Sequence, residues 1–198
     1  MMEKINGKGQ TFSEFIEEYK SLGFSASAQT VDTMLFAISA RPVVLLVQRN
    51  NFPDIYEWAF PGGFIDGNES AGQAAARELL EETGLSQVEL HPFCTVSTPN
   101  RDPRGQFTSH CFLGVMDAPL RPCAGDDAAD ARWFYLDYAA KDDVYEIILK
   151  SGEITLNAVI RVQRGADGNF DLDKSEIISK EGIAFDHAKL ILYALETL

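Results

Sequence analysis

The chain has 198 residues, 45% of them apolar, and a formal net charge of −13 at pH 7. This length predicts one domain across residues 1–198, with enough apolar residues for a packed core. So acidic a chain lacks the basic surface that attracts phosphate backbones and anionic membranes, and we therefore expect no nucleic-acid and no membrane partner.

Apolar runs and cysteine spacing bear on the location of the protein. No apolar run reaches the roughly 20 residues that span a bilayer, and the first residues contain no apolar signal core, so the sequence predicts a cytoplasmic protein. Cys94, Cys111 and Cys123 are isolated and lack the paired spacing of metal ligands. We expect free thiols in a reducing compartment rather than a disulfide framework.

The chain begins with a segment, residues 1–28, that we interpret as an extension before the first strand. Within it, residues 12–19 predict a short helix with an apolar stripe, which we expect to pack on the body of the domain or on a partner subunit. Two strand-like runs follow at 31–38 and 43–48, separated by a probable turn at 39–42.

Arg49 ends the second predicted strand, and a polar loop leads from it to Trp58. An arginine and an aromatic ring at this point could bind a phosphate and a nucleobase of a substrate. A salt-bridged arginine and a core tryptophan are equally compatible with the sequence.

Residues 71–83 have the composition of a helix, because Ala, Leu, Glu and Arg are strong helix formers. Ser70 is a favourable N-cap, and Gln73 three residues later completes a capping-box pattern. Gly84 stands where a left-handed residue commonly ends a helix. The sequence therefore predicts a helix over 71–83.

Three glutamates of this helix, Glu78, Glu81 and Glu82, are spaced i, i+3 and i+4, so their carboxylates share one face. Like charges at this spacing repel each other by about 0.2–0.5 kcal/mol per pair. A divalent cation such as Mg²⁺ prefers oxygen ligands and would offset the repulsion. Arg77 can pair with Glu81 at i+4. The alternative for these residues is a solvated acidic face.

Two arginines follow the next predicted strand, residues 88–97, in a loop that also contains two prolines. Arg101 and Arg104 could reach a phosphate or a ribose of a substrate. A loop-stabilising salt bridge with Asp102 is the alternative for both.

A loop rich in Pro, Gly and Asp connects the next two predicted strands, residues 107–116 and 131–135. Asp127 lies in this loop. The sequence is compatible with a solvated turn there and with a carboxylate that contributes to a site.

The tail has the features of an addition to the domain, which we place at residues 138–182. We expect a helix over 138–150 and two strands over 154–163 and 170–178. Asp167 and Gly168 in the connector are a good hairpin signal.

A final helix is predicted within residues 183–198, with Asp186 as its N-cap. His187 directly after the cap is interpreted as structural rather than catalytic.

The segment from Gly63 to Leu85 carries a known motif. Its register is Gly63, five residues, Glu69, seven residues, then Arg77-Glu78-Leu79-Leu80-Glu81-Glu82-Thr83-Gly84-Leu85, which matches G-x5-E-x7-R-E-U-x-E-E-x-G-U with U aliphatic. The chain therefore resembles the Nudix hydrolases, which split nucleoside diphosphates linked to another group. The resemblance implies an α/β fold, an α/β/α sandwich with a mixed β-sheet, to which the chain adds a β-hairpin near its C-terminus.

The resemblance also implies roles for the motif residues. Glu78, Glu81 and Glu82, with the carbonyl of Gly63, would hold one to three Mg²⁺ or Mn²⁺ ions. Arg77 would orient these carboxylates and contact Glu69.

For the general base, the resemblance leaves two candidates. Glu82 could activate water at the metals, and Asp127 lies where some relatives place an extra carboxylate.

Flanking segments, among them VDTMLFAI, NRDPRG and AFDHAKLILYAL, are similar to the ADP-ribose pyrophosphatase-like branch of the family. That branch implies ADP-ribose as substrate, AMP and ribose 5-phosphate as products, and a possible homodimer. The alternatives are another nucleotide substrate (a nucleotide sugar, a dinucleotide or an oxidised nucleotide) and a Nudix-derived, ADP-ribose-sensing transcriptional regulator.

Overall fold

A computed structural model describes residue 11 and residues 27–38, 41–125 and 128–198. The helix predicted at 12–19 and the candidate base Asp127 lie outside the described residues, as do residues 39 and 40 of the turn predicted at 39–42. None of the helices in the described ranges is both long and apolar enough to cross a bilayer.

The described strands form one sheet. They are β1 (Ala28–Ile38), β2 (Pro42–Arg49), β3 (Trp58–Ala59), β4 (Gly62–Phe64), β5 (His91–Val96), β6 (Phe107–Met116), β7 (Ala128–Lys141), β8 (Val144–Ser151), β9 (Ile154–Arg161) and β10 (Glu176–Glu181). Across the sheet the order is β10-β9-β8-β7-β2-β1-β6-β5, with β3 beside β2 and β4 beside β1. Strands β1 and β6 are parallel and the neighbouring pairs β1–β2 and β5–β6 are antiparallel, so the sheet is mixed, as predicted.

Two helices, α1 (Ala71–Thr83) and α2 (His187–Thr197), cover opposite faces of this sheet. Leu79 of α1 packs in one core cluster with Leu35 of β1. Leu190 of α2 packs in another with Met34, the neighbour of Leu35. Successive side chains of a strand point to opposite faces, so the helices sandwich the sheet. The predicted α/β/α sandwich is confirmed.

Helix α1 begins and ends where the sequence predicts. The Ser70 hydroxyl accepts from the Gln73 backbone N–H at 3.3 Å, and the Gln73 side-chain carbonyl accepts from the Ser70 N–H at 2.9 Å. These two bonds satisfy donors that a helix N-terminus leaves without partners. Gly84 ends the helix with φ 69°, which glycine adopts without steric cost.

The helix predicted over 138–150 is wrong. These residues belong to β7 and β8, which pair with each other through Leu136 opposite Leu149. Ile147 and Leu149 alternate with exposed or partly exposed neighbours and are both fully buried, so the period of this segment is that of a strand. The predicted short strand 131–135 is the middle of β7.

The predicted hairpin after residue 154 is present with different bounds. β9 pairs antiparallel with β10, but regular pairing begins only at Glu176. Residues 171–175 form a turn instead, in which the Asp171 carbonyl accepts from the Ser175 N–H at 3.0 Å. An isolated bridge joins Arg164 and Phe170, close to the predicted connector.

Truncating an apolar side chain in β8 tests whether the tail shares the core of the domain. Ile147 is fully buried, and we expect Ile147→Ala to lower the free energy of unfolding by about 2–5 kcal/mol, because it leaves a cavity. The matched control is Ile178→Ala on β10, whose residue is 49% exposed and should change stability by less than about 0.5 kcal/mol. Urea denaturation followed by circular dichroism measures both; equal effects would place Ile147 outside the cooperative core.

Candidate active site

Arg77 is the centre of a carboxylate cluster on α1 and the preceding loop. Its Nη2 and Nε donate to the two oxygens of Glu69 at 2.6 and 3.1 Å, and Nη1 donates to Glu78 and Glu81 at 2.7 and 3.0 Å. Nη2 also donates to the Phe64 carbonyl at 3.0 Å. The bonds to Glu69, followed by those to the helix glutamates, raise the pKa of Arg77. This one cation therefore orients three carboxylates and offsets part of their repulsion.

The backbone at Gly63 lies against the Glu78 carboxylate. A Cβ atom added at Gly63 would lie 2.3 Å from Glu78 Oε1, closer than van der Waals contact allows. Only glycine therefore permits this approach of backbone to carboxylate. Burial raises the pKa of Glu78, and the bond from Arg77 opposes the shift.

Glu82 contacts the neighbouring glycine, Gly62 of β4. Its Oε2 accepts from the Gly62 N–H at 2.9 Å. Burial raises the pKa of Glu82 to about 8, with a further increase from the Glu78 charge, although the bond from Gly62 works in the opposite direction. The protein alone thus supplies too little positive charge to keep this carboxylate ionised, and a cation would favour its ionised form.

The donor set of this cluster suits a hard divalent cation, because carboxylate and carbonyl oxygens are the ligands that Mg²⁺ and Mn²⁺ prefer. Across residues 27–38, 41–125 and 128–198, however, no three His, Cys, Asp or Glu side chains are grouped closely enough to hold a metal as they stand. Arg77 engages one oxygen each of Glu78 and Glu81, while Glu82 is bonded to Gly62. Rotation of these side chains would be needed to bring their oxygens together.

A cavity of about 170 Å³ opens beside Gly62 and Gly63. We call it the Arg49 cavity. Several charged and aromatic side chains contribute to its walls: Asp32, Arg49, Phe60, Phe64, Arg101, Asp102, Arg104, Phe107, Phe185 and His187. Gly62 and Gly63 of β4 therefore line this cavity and also lie against the carboxylates of Glu82 and Glu78.

Arg49 is a half-buried cation in this cavity that has no carboxylate partner among the described residues. Its Nε donates to the Pro53 carbonyl at 2.8 Å, and its guanidinium lies 4.6 Å from the centre of the Phe185 ring. Burial lowers the pKa of Arg49, and the neighbouring charge of Arg104 lowers it further. An anion in the cavity would relieve both effects. The salt-bridged alternative for Arg49 is not realised in the described part of the chain.

Arg104 forms the salt bridge with Asp102 that the sequence left open as the alternative to substrate binding. Its Nε and Nη2 donate to the two oxygens of Asp102 at 3.0 and 2.8 Å, and its guanidinium lies 4.7 Å from the centre of the Phe107 ring. Its side chain is 41% exposed and still lines the cavity, so Arg104 remains accessible to a bound molecule.

Arg101 pairs with a residue that its local sequence does not reveal. Its Nη2 and Nε donate to Asp186 at 2.7 and 3.1 Å, and both side chains are about nine-tenths buried. Burial alone would raise the pKa of Asp186, but the bonds from Arg101 hold it below its ordinary value. Asp186 is the N-cap residue of α2, as predicted, but its carboxylate makes no capping bond to the helix and binds Arg101 instead.

Trp58 belongs to the core, not to the wall of the cavity. The residue is 3% exposed, and its ring meets Phe134 edge-on at 4.7 Å between centroids. Its backbone N–H and carbonyl bond Gly182 and Ala184, which join β3 to the segment before α2. The structure thus corrects the predicted substrate contact of Trp58 in favour of the core alternative.

Asp32, Phe185 and His187 are among the cavity residues that were not predicted as site residues. Asp32 had a signal in the sequence, since it is a charged residue inside the otherwise apolar run VDTMLFAI. Phe185 and His187 reach the cavity only because the tail returns to the sheet, which no local pattern shows.

The chain matches the family model described as the NUDIX domain over residues 28–151. The chain belongs to the Nudix family. Arg77, Glu78, Glu81 and Glu82 of the Nudix motif are thus the residues that meet at the carboxylate cluster, together with Glu69 and Gly63.

Two curated proteins similar to this Nudix chain differ in what they do. It is 28% identical over 133 residues to an ADPR responsive transcriptional repressor of Acinetobacter baylyi, covering 66% of this chain and 53% of the repressor. It is 40% identical over 99 residues to an ADP-ribose pyrophosphatase of Methanocaldococcus jannaschii, covering 50% and 57%. The chain thus spans about half the length of either relative.

Two crystal structures resemble the fold. A MutT/nudix family protein from Enterococcus faecalis aligns with TM-score 0.72 and 28% identity, over 95% of this chain and 69% of that one. The NUDIX domain of Shewanella oneidensis NrtR complexed with ADP ribose aligns with TM-score 0.58 and 33% identity, over 64% and 84%. The first similarity includes the tail beyond residue 151.

Neutralising Asp186 tests the buried ion pair beside the cavity. We expect Asp186→Asn to lower the free energy of unfolding at neutral pH by about 3–5 kcal/mol, because Arg101 would keep its buried charge without a counter-ion. The control is Asp137→Asn, which breaks the exposed pair with Arg41, both about half exposed, and should cost under about 1 kcal/mol.

The pH dependence of this loss has a definite sign. The folded-state pKa of Asp186 is depressed, so its contribution is fully present above the unfolded-state pKa of about 4 and is lost as the pH falls through the folded-state value. Denaturant titrations at several pH values should show wild type and Asp186→Asn converging in acid. A difference that stays constant down to low pH would contradict the assignment.

Proposed function

We propose that this Nudix protein hydrolyses a nucleoside diphosphate linked to another group, and that its substrate is ADP-ribose, which would yield AMP and ribose 5-phosphate. The observation that carries the proposal is the arrangement around Gly62 and Gly63 of β4. The carboxylates of Glu78 and Glu82 lie against these glycines, and Arg49, a cation without a carboxylate partner in the described ranges, lines the cavity beside them. A diphosphate held by Arg49 would lie close to those carboxylates.

Mg²⁺ or Mn²⁺ is the cofactor that fits this arrangement. Glu78, Glu81, Glu82 and the Gly63 carbonyl are the groups that would hold it. When bound, such an ion neutralises diphosphate charge and lowers the pKa of a coordinated water.

The residues of the chain would supply positioning and electrostatic stabilisation, which dominate phosphoryl-transfer catalysis in general. Arg49 and Arg104 would bind the diphosphate oxygens. Arg77 would keep the carboxylates oriented and, with Glu69, would not touch the substrate. Arg101 donates both Nε and Nη2 to Asp186, so it would not bind the substrate directly. It would instead stabilise the wall of the cavity through this ion pair.

ADP-ribose is favoured over other nucleotides because the names of the relatives agree on it. The archaeal relative is an ADP-ribose pyrophosphatase, the Acinetobacter relative is an ADPR responsive repressor, and the Shewanella domain was crystallised with ADP ribose. A nucleotide sugar, a dinucleotide or an oxidised nucleotide is the alternative substrate class.

A regulator that senses ADP-ribose is the second candidate function, and its specific support is the similarity to the Acinetobacter repressor. Hydrolysis is favoured because Arg77, Glu78, Glu81 and Glu82 are all present and in mutual contact or adjacent in the site. The homodimer, the cytoplasmic location and the single domain over residues 1–198 remain predictions from the sequence.

Asp127 is our candidate for the general base, alongside Glu82. Support comes from the described residues next to it. The Gly125 N–H donates to the Glu82 carbonyl at 3.2 Å, and Ala128 lies opposite Arg49 in the sheet. The chain is thus anchored at the carboxylate cluster on one side of Asp127 and at the Arg49 cavity on the other.

A hydrolysis screen tests the proposed function. Wild-type protein with Mg²⁺ is assayed against ADP-ribose, NADH, nucleotide sugars and nucleoside triphosphates, with products separated by chromatography. We expect ADP-ribose to have the highest kcat/KM and Glu82→Gln to lower turnover by about 10²-fold or more while the protein stays folded. The control is Glu153→Gln on the exposed β8–β9 turn, which should turn over like wild type.

The outcomes separate the candidate functions. Preferred turnover of another nucleotide would replace ADP-ribose as substrate, and near-normal activity of Glu82→Gln would remove Glu82 from the chemistry. No turnover of any compound, with tight binding of ADP-ribose, would support the regulator.

Asp127→Asn tests the candidate base. If Asp127 activates the attacking water, the variant should lower kcat with little change in KM, because substrate binding stays intact while proton removal is lost. Asp126→Asn, one residue away in the same loop, is the matched control and should keep wild-type kcat. A rise in KM alone would assign Asp127 to substrate binding instead.

A further inference from the structure

Asp32 places a carboxylate in the wall of the Arg49 cavity. The residue lies on β1 directly opposite Gly62 of β4, and its side chain is 13% exposed. One of its oxygens, Oδ2, accepts from the Ser109 hydroxyl on the neighbouring strand β6. Asp32 is therefore fixed by the sheet at a point next to Gly62 and Gly63 of β4.

His187 faces the other oxygen of this carboxylate. Its Nδ1 accepts from the Phe60 backbone N–H at 3.0 Å, so the neutral ring must carry its proton on Nε2. Nε2 lies 3.6 Å from Asp32 Oδ1, and burial lowers the pKa of His187, which keeps the ring neutral. The imidazole therefore packs against Asp32, slightly beyond hydrogen-bond distance, without supplying a full positive charge.

No Lys or Arg of the described ranges lies within ion-pair distance of Asp32, although Arg101 and Arg104 line the same cavity. Arg101 directs both Nε and Nη2 to Asp186, and Arg104 directs the same atoms to Asp102. A carboxylate offers about four acceptor positions, and Ser109 occupies one. Asp32 thus keeps unused acceptor capacity in a cavity where Arg49 is positioned to bind an anion.

The chemistry of this carboxylate selects its partner. It repels phosphate oxygens and accepts hydrogen bonds only from donors, which on a nucleoside diphosphate derivative are sugar hydroxyls or base amino groups. Gly62, opposite Asp32, precedes Gly63 in β4, and we place the diphosphate beside these two glycines. A sugar is joined directly to the diphosphate, whereas the base lies beyond the sugar, so the hydroxyls of a sugar are the donors within reach.

We propose that Asp32 is a specificity-determining residue that accepts hydrogen bonds from the ring hydroxyls of a sugar attached to the diphosphate, with His187 and Ser109 as its positioning residues. The inference rests on the proposed function, since it assumes a nucleoside diphosphate derivative in the Arg49 cavity. In ADP-ribose either the adenosine ribose or the terminal ribose could supply the hydroxyls, and the experiment separates the two.

The test is a cycle of variant against substrate. Wild type and Asp32→Asn are assayed for kcat/KM with ADP-ribose, with an analogue whose adenosine ribose lacks its ring hydroxyls, and with one whose terminal ribose lacks them. For wild type, kcat/KM should be about 10- to 100-fold lower with one analogue than with ADP-ribose, the size expected for a hydrogen bond to a charged group. Asp32→Asn should lower kcat/KM for ADP-ribose by a similar factor. For this variant, the kcat/KM values for ADP-ribose and for that analogue should differ by no more than about 3-fold.

Asp102→Asn is the matched control, since Asp102 lines the same cavity but its oxygens are engaged by Arg104. The Asp102→Asn variant should keep the wild-type ratio of kcat/KM between ADP-ribose and each analogue, even if its overall turnover changes. Thermal melts confirm that each variant is folded, and Mg²⁺ titrations check that half-saturation is unchanged.

Equal losses for Asp32→Asn on all three compounds, or a raised Mg²⁺ requirement, would overturn the proposal and make Asp32 structural or part of the metal site. If wild type turns over none of them, hydrolysis of ADP-ribose is refuted, and the same cycle is measured as Kd by calorimetry. If wild type binds one analogue more weakly than ADP-ribose and Asp32→Asn does not, Asp32 accepts hydrogen bonds from the sugar hydroxyls in a binding protein. Equal Kd values, or no binding, overturn it together with the proposed substrate.

Discussion

The absence of two side chains, at Gly62 and Gly63, sets the geometry of the site. A Cβ at Gly62 would lie 2.1 Å from the Val31 carbonyl oxygen, and one at Gly63 would lie 2.3 Å from the Glu78 carboxylate. With glycine at both positions, β4 can pair closely with β1 while its backbone contacts the acidic face of α1. The carboxylate cluster and the Arg49 cavity become neighbours through this contact, and any chemistry that uses both depends on it.

Charge around Gly62 and Gly63 is balanced only in part by the protein itself. Arg77 binds Glu69, Glu78 and Glu81, yet burial leaves Glu78 and Glu82 with a raised pKa and Arg49 with a lowered one. The two imbalances are opposite in sign and lie beside the same two glycines. A cation for the carboxylates and an anion for the arginine would resolve both, which is the pairing that a metal-bound diphosphate provides.

The sequence predicts those parts of the molecule that depend on local pattern. Helix α1 follows from its own caps and composition, and the spacing of Glu78, Glu81 and Glu82 puts them on one face whatever the rest of the chain does. The prediction of a helix over 138–150 is wrong, because the alternation of buried and exposed residues there is too short to reveal a strand. Pairing with β7 makes the segment a strand. Arg101 and Asp186 are 85 positions apart, and the contact between His187 and Asp32 also depends on how α2 returns to the sheet, so neither follows from spacing.

The return of the tail to the cavity divides the site between two stretches of chain. The carboxylate cluster lies wholly within residues 28–151, the range that matches the family model, while Phe185 and His187 come from beyond it. The part that would perform bond cleavage and part of the wall that would recognise the substrate are thus encoded separately. Mutations accumulating in the tail could redirect such a protein to a new ligand while the ancestral chemistry stayed intact, so selectivity and reactivity can evolve at different rates.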